Sequence, residues 1–257
     1  MNILVIGDVV GKAGCDFLRT HLPSFKKLKN IDLCIANGEN SAPGNGITSQ
    51  SAEHLFSSGV DFITSGNHAF NKNEVGELLD RRQDVIRPAN YCDECPGSGF
   101  GIIDMGYTKI GVLNLLGNAF ISDNVENSFI CAERMLPLLA ECKTILVDLH
   151  AEATGEKRAM GFFLDGKVTA LFGSHTHVLT ADEQILPKGT AYITDIGMTG
   201  PKNSVLGVKP EIVIRRLKTG MPARFDIAEG ACMMNGCIIS VDIKSGKATG
   251  IERVCIE

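Results

Sequence analysis

Short apolar runs, each followed by turn residues and five of them ending at a polar residue, dominate this chain: NILVIGD, IDLCIANGE, VDFITSGN, KIGVLNLLG, KTILVDLH and VTALFGSH. Their brevity, their Ile, Leu and Val content and the turn residues after them predict buried β-strands. Between the early runs lie CDFLRTHLPSFKKLK, TSQSAEHLFSSG, NEVGELLDRRQ and NSFICAERMLPLLAEC, whose apolar residues recur at helical spacing. Strand and helix therefore alternate over roughly the first 175 residues, which predicts a layered α/β fold.

Beyond His177 the pattern changes to AYITDIG, EIVIRRL, ARFDIAEG, MNGCIISVDIK and GIERVCI, punctuated by glycine or proline. This part reads as mostly antiparallel sheet. No Pro/Ser-rich linker or charge run marks a boundary, so residues 1–257 are expected to form a single domain.

The residues that end the runs are themselves informative. Asp8, Glu39, Asn67, His150 and His175 each follow an apolar, strand-like stretch and can each bind a metal. Parallel strands would gather these termini at one sheet edge, where α/β proteins build their sites. Each residue alone has an ordinary explanation: Asp8 as a helix cap, Asn67 in a turn, His150 as a core histidine. Together they point to one shared site. His175 and His177, read as alternating on an extended segment after Gly173 and Ser174, could both reach it. The set has two carboxylates, the amides of Asn40 and Asn67, and three imidazoles. Such mixed oxygen and nitrogen donors suit iron, manganese or zinc.

The motifs GDVVGKAG (7–14), NGENSAPGNGIT (37–48), SGNHAF (65–70), DLHAEATGEK (148–157) and GSHTHV (173–178) resemble those of the calcineurin-like metallophosphoesterases. Within these, the chain is most similar to the YmdB-like bacterial cyclic-nucleotide phosphodiesterase group, and TDIGMTGP (194–201) and LGVKPEIVIRRLKTGMPARF (206–225) extend the likeness. The broad superfamily usually carries a histidine where this chain has Val10, and a bridging aspartate where it has Glu39. The resemblance implies a layered αββα sandwich and two divalent ions. Asp8, Glu39, Asn40 and His177 would hold one ion, and Glu39, Asn67, His150 and His175 the other, with Glu39 bridging and Asn40 replacing the missing histidine. It also implies hydrolysis of 2′,3′-cyclic nucleotides to a nucleoside monophosphate.

Two divalent ions exceed the charge of two carboxylates, so the site would attract an anionic phosphate ester and activate solvent as the nucleophile. His68 follows Asn67 without belonging to either donor set, which suggests a general acid for the leaving oxygen. The competing role is to orient Asn67. Phosphomonoester or short-RNA hydrolysis could use the same metals, and a low-turnover regulatory protein binding metal and nucleotide is the reading from another class. No residue could be assigned to base recognition.

Other features narrow the field. GDVVGKAG is one residue short of a phosphate-binding P-loop and has Ala13 where a Ser or Thr is required. A net charge of −5 argues against a long nucleic acid as ligand. The start MNILVIGDVVG lacks a basic leader, no stretch is apolar enough to span a membrane, and nine mostly isolated cysteines fit reduced thiols. A cytoplasmic homo-oligomer is therefore expected. Cys34, Cys131 and Cys237 read as core filling, and Cys92 with Cys95 as a plain loop. His21 and His54 read as surface or packing residues, Glu152 and Glu156 as supports behind the ligands, and Lys157 as a possible contact to substrate phosphate. The glycines of NSAPGNGIT could shape a loop at the site's rim.

Overall fold

The computed structural model describes residues 1–257. In chain order the elements are β1 (Asn2–Ile6), β2 (Asp8–Val9), α1 (Gly11–Leu28), β3 (Leu33–Asn37), α2 (Ser49–Ser57), β4 (Phe62–Thr64), α3 (Val75–Arg81), β5 (Phe100–Asp104), β6 (Lys109–Leu116), α4 (Ser128–Met135), β7 (Thr144–His150), α5 (Thr154–Leu164), β8 (Ala170–Ser174), β9 (Gln184–Ile185), β10 (Ala191–Ile193), β11 (Met198–Pro201), α6 (Pro210–Thr219), β12 (Cys232–Val241) and β13 (Ala248–Ile256). The expected helices and early strands form at the expected places. No helix is long and apolar enough to cross a membrane.

The strands divide between two sheets, in the orders β2-β11-β12-β1-β3-β4, with β13 beside β12, and β5-β6-β7-β8-β10-β9. The pairs β1–β3, β3–β4, β6–β7 and β7–β8 are parallel. Alternation along β1 shows why its run is uniformly apolar. Ile3 and Val5 join Val112, Leu146 and Phe172 in a core between the sheets, while Leu4 and Ile6 join Leu18, Leu22 and Leu55 beneath the helices. A third core packs Leu113, Val147 and Leu171 of the second sheet against Met135, Met160 and Leu164 of α4 and α5. The result is an α/β sandwich with helices outside and two sheets inside. Helix α1 presents Cys15, Leu18, Leu22 and Phe25 at helical spacing, and Thr48 and Ser51 cap α2 reciprocally.

Three expectations change. The donor-bearing strands do not line one sheet edge: β1, β3 and β4 belong to one sheet and β7 and β8 to the other. EIVIRRL is not a strand but the body of α6, with Pro210 in its first turn and Gly220 at φ 69° closing it. The Ile-Val-Ile run suggested a strand, yet proline at the start and glycine at the end are helix boundaries. ARFDIAEG contributes only the isolated bridge Val208–Ile227. The C-terminal part is antiparallel through β11, β12 and β13, but β10 joins β8 in parallel.

Candidate metal centre

Because β3, β4, β7 and β8 run the same way within their sheets, the segments leaving them meet where the two carboxyl edges face each other. Asp8 lies in β2, Glu39 and Asn40 follow β3, Asn67 and His68 follow β4, His150 ends β7, and His175 and His177 follow β8. Donor atoms of Glu39, His150 and His175 lie within 4.8 Å of one another. His150 Nε2 is 3.2 Å from Glu39 Oε1, 3.1 Å from Asn67 Oδ1 and 3.0 Å from His175 Nδ1. At the same Glu39 oxygen, Asn40 Nδ2 lies 3.2 Å from Oε1 and 3.3 Å from His177 Nε2, which is itself 3.7 Å from Asp8 Oδ1. Every donor expected from the sequence therefore falls in one cluster with Glu39 at its middle.

Asp8, Glu39 and His150 are essentially fully buried. Burial alone would raise the Glu39 carboxyl, but the charge and hydrogen bond of His150, joined by His68, hold it well below the usual carboxylate range. Burial would lower His150, yet the charge and hydrogen bond of Glu39, together with Asp8 and Asp148, push the imidazole up to about 9. His175 falls to about 3 through burial and the neighbouring His150 charge. Burial raises Asp8 against the opposing pull of His177 and His150.

The donor set fits divalent cations. Asp8 Oδ2 accepts the His175 N–H at 3.1 Å, while its buried Oδ1 has no hydrogen-bond partner. Leaving a carboxylate oxygen so desolvated is costly unless a cation faces it. Paired with imidazoles and amides, such carboxylates favour borderline transition ions.

Groups behind the donors fix their orientation. His150 Nδ1 lies 2.9 Å from Ser174 Oγ, which donates to Asp148 Oδ1 at 2.6 Å, and Thr64 Oγ1 donates to Asp148 Oδ2 at 2.5 Å. Asp148 is fully buried, and burial pushes it up to about 6 against His150 and these hydroxyls. The network turns His150 Nε2 toward the cluster. Gly66 is also required by space: a Cβ there would lie 2.2 Å from Glu39 Oε2 and 2.3 Å from His150 Cδ2. Asp148 sits two residues before His150 on the same strand face, a legible signal. Ser174, Thr64 and Gly66 had none.

The H-x-H segment departs from the extended reading. His175 and His177 take φ values of 101° and 64°, in a left-handed region sparsely used by non-glycine residues. Asp195 Oδ2 holds the turn by accepting from Thr176 N at 3.0 Å and Thr176 Oγ1 at 2.7 Å. Lys157 is buried, not a substrate contact: its Nζ donates to Asp195 Oδ2 at 2.7 Å and to the Ser174 carbonyl at 2.8 Å. Glu152 supports His175, with Oε2 3.1 Å from Nε2. Glu156 accepts the backbone N–H groups of Asn118 and Ala119.

His68 occupies a different position. Its N–H donates to Glu39 Oε2 at 3.1 Å, and Nδ1 lies 3.0 Å from Glu39 Oε1 and 3.1 Å from Asn40 Oδ1. Its side chain is 26% exposed, and Nε2 lies 3.4 Å from Asn45 Nδ2 in the glycine-rich loop, which does rim the site. Cys92 and Cys95 lie in a separate loop whose carbonyls accept from Arg87. His21 stacks on Phe17, and His54 lies 3.5 Å from Asp16.

The model for the YmdB-like protein family matches residues 4–254. The chain belongs to this family. Family membership and the donor cluster together make it a metal-dependent phosphoesterase. Among its relatives, the 2′,3′-cyclic-nucleotide 2′-phosphodiesterase of Bacillus subtilis is 42% identical over 100% of this chain and 97% of its own length. A protein of Thermus thermophilus, whose crystal structure describes it as hypothetical, superposes with a TM-score of 0.94 at 37% identity, covering 100% of this chain and 99% of that one. A novel phosphatase of Mycoplasma pneumoniae gives a TM-score of 0.94 at 36% identity, covering 100% and 93%.

Proposed function

We propose that this chain, acting as one domain, hydrolyses 2′,3′-cyclic nucleotides to nucleoside monophosphates. The observation that carries the reading is the position of Glu39, between two donor groups and in contact with the partly exposed His68. One ion would be held by Asp8, Glu39, Asn40 and His177, and the other by Glu39, Asn67, His150 and His175. A pair of bound divalent ions would activate the attacking water and neutralise charge on the phosphoryl group.

The chain's own residues do the rest. Glu39 meets both donor groups through Oε1, and its Oε2 accepts the His68 backbone N–H. Ser174 and Asp148 keep His150 turned inward, while Asp195 and Lys157 hold the turn that presents His175 and His177. His68, fixed through Nδ1 and its backbone N–H, turns Nε2 toward Asn45 at the partly exposed rim, from where it would deliver a proton to the leaving ribose oxygen. The 42% identical Bacillus enzyme supports the substrate class.

The same reading takes iron or manganese as the native ions, with zinc able to substitute, and the cytoplasm as the compartment. The free thiols, many of them buried, support a reducing environment. The exposed Ile214 and Leu217 of α6, a helix with no buried residue, support a homo-oligomer, which sedimentation of the purified chain tests.

The decisive experiment compares metal-loaded protein on 2′,3′-cyclic AMP, nitrophenyl phosphate and a short oligoribonucleotide. The cyclic nucleotide is expected to have the highest kcat/KM. Preference for the monoester or the oligonucleotide would overturn the assignment in favour of a phosphomonoesterase or a nuclease.

A further inference from the structure

The segment between β6 and α4 leaves the sheet directly beside the metal cluster. Leu116 pairs with His150, and the Gly117 N–H donates to the His150 carbonyl at 2.9 Å. Glu156 holds the next two residues through the N–H groups of Asn118, at 2.7 Å, and Ala119, at 3.2 Å. Farther along, Asp123 accepts from the Tyr91 hydroxyl at 2.8 Å, and Tyr91 packs edge-on against Phe70, two residues beyond His68. The loop is thus tied to both His150 and the His68 segment. Its next residue after the Glu156 anchor is Phe120.

Phe120 is 90% exposed and sits at φ 64°. A left-handed conformation is unfavourable for an aromatic residue and persists where the surroundings impose it. Exposure returns none of the stabilisation that burying the ring would give. Of the other exposed aromatics, Phe162 is covered by Arg158 and Phe225 by Arg216. Tyr107 lies in the turn before β6, at the opposite end of that strand. Three residues of chain span at most about 11 Å, so Phe120 stays within a nucleotide's reach of His150.

We propose that Phe120 is the platform on which the base of the nucleotide stacks while its phosphate lies at the metal cluster. The inference rests on the cyclic-nucleotide reading above and adds the residue that recognises the base. The ribose and phosphate of such a substrate are polar; the base alone offers a flat π face to match an exposed ring. Phe120 would then act on substrate affinity and leave the chemical step to the cluster.

The test uses metal-loaded wild type, Phe120→Leu and Phe120→Tyr, with 2′,3′-cyclic AMP and the base-free methyl riboside 2′,3′-cyclic phosphate. Leucine keeps apolar bulk without the ring. It should raise KM for cyclic AMP by about fivefold to a hundredfold, the range of losing one base–aromatic stack, with kcat unchanged. KM for the base-free ester should not move, and tyrosine should restore wild-type behaviour. Calorimetric binding of 3′-AMP against the base-free methyl riboside 3-phosphate supplies a second readout that needs no turnover, and the leucine variant should lose only the preference for AMP. An unchanged AMP preference, or equal weakening of base-bearing and base-free ligands, would overturn the role of Phe120. Wild type inert toward both cyclic esters would refute the substrate reading, and the binding ratio would still decide Phe120.

Discussion

Replacing Lys157 with Met should damage the metal centre without touching a donor. Lys157 and Asp195 are both fully buried, with Nζ 2.7 Å from Oδ2, and the same Nζ donates to the Ser174 carbonyl. Removing one partner of a buried ion pair costs about 3–5 kcal/mol, because the remaining charge is left uncompensated. Asp195 would retain Thr176 N, Thr176 Oγ1 and Gly197 N as donors, so the lower end of that range applies. A loss of about 3 kcal/mol lowers Tm by roughly 6–12 °C for a chain of this size and leaves most such folds intact at room temperature. The turn carrying His175 and His177 loses its anchor as well, so metal affinity should fall about 10–100-fold, as for other supports behind ligands. Thermal melts in chelator measure the first effect, and calorimetric metal titration measures the second. The double variant Lys157→Met, Asp195→Asn removes both charges and should recover part of the lost Tm but not the metal affinity. A single variant with wild-type melting and metal affinity would refute the argument, as would a double variant less stable than the single.

Gly66→Ala should strip both ions and lower turnover at least about a hundredfold, since its Cβ would displace Glu39 and His150; elemental analysis with full metal content would contradict this. Glu39→Gln should lose both ions together, whereas Asn40→Ala should weaken mainly the ion nearer Asp8 and His177, and identical metal loss in the two variants would argue against a shared Glu39. His68→Ala should keep its metals and bind cyclic AMP normally, yet lower kcat by about 10²–10⁴. That defect should shrink on a nitrophenyl diester, whose leaving group departs without a proton, so equal slowing of both substrates would count against the acid role.

What the sequence alone determined was local. The long early strands could be recognised from their apolar residues, and five of the donors from their place at a strand's end, because side-chain alternation and turn chemistry are properties of neighbouring residues; the short strands β5, β9 and β11 left no such run. The motif resemblance implied the ligand sets and the substrate class. The helix at 210–219 was legible in principle from Pro210 and Gly220, but its Ile-Val-Ile run outweighed them. Tertiary structure decided the rest. Pairing assigned the donor strands to two sheets instead of one, since hydrogen bonding between strands leaves no mark within either strand. The turn at His175 and His177 is left-handed because Asp195 and Lys157 grip it across separations of 19 and 17 residues in sequence. Asp148 meets Thr64 across 84 residues, and Gly66 is needed only because Glu39 and His150 crowd that point. Such contacts depend on how distant segments share a buried volume, and the chain acquires that volume only when its two sheets close on each other.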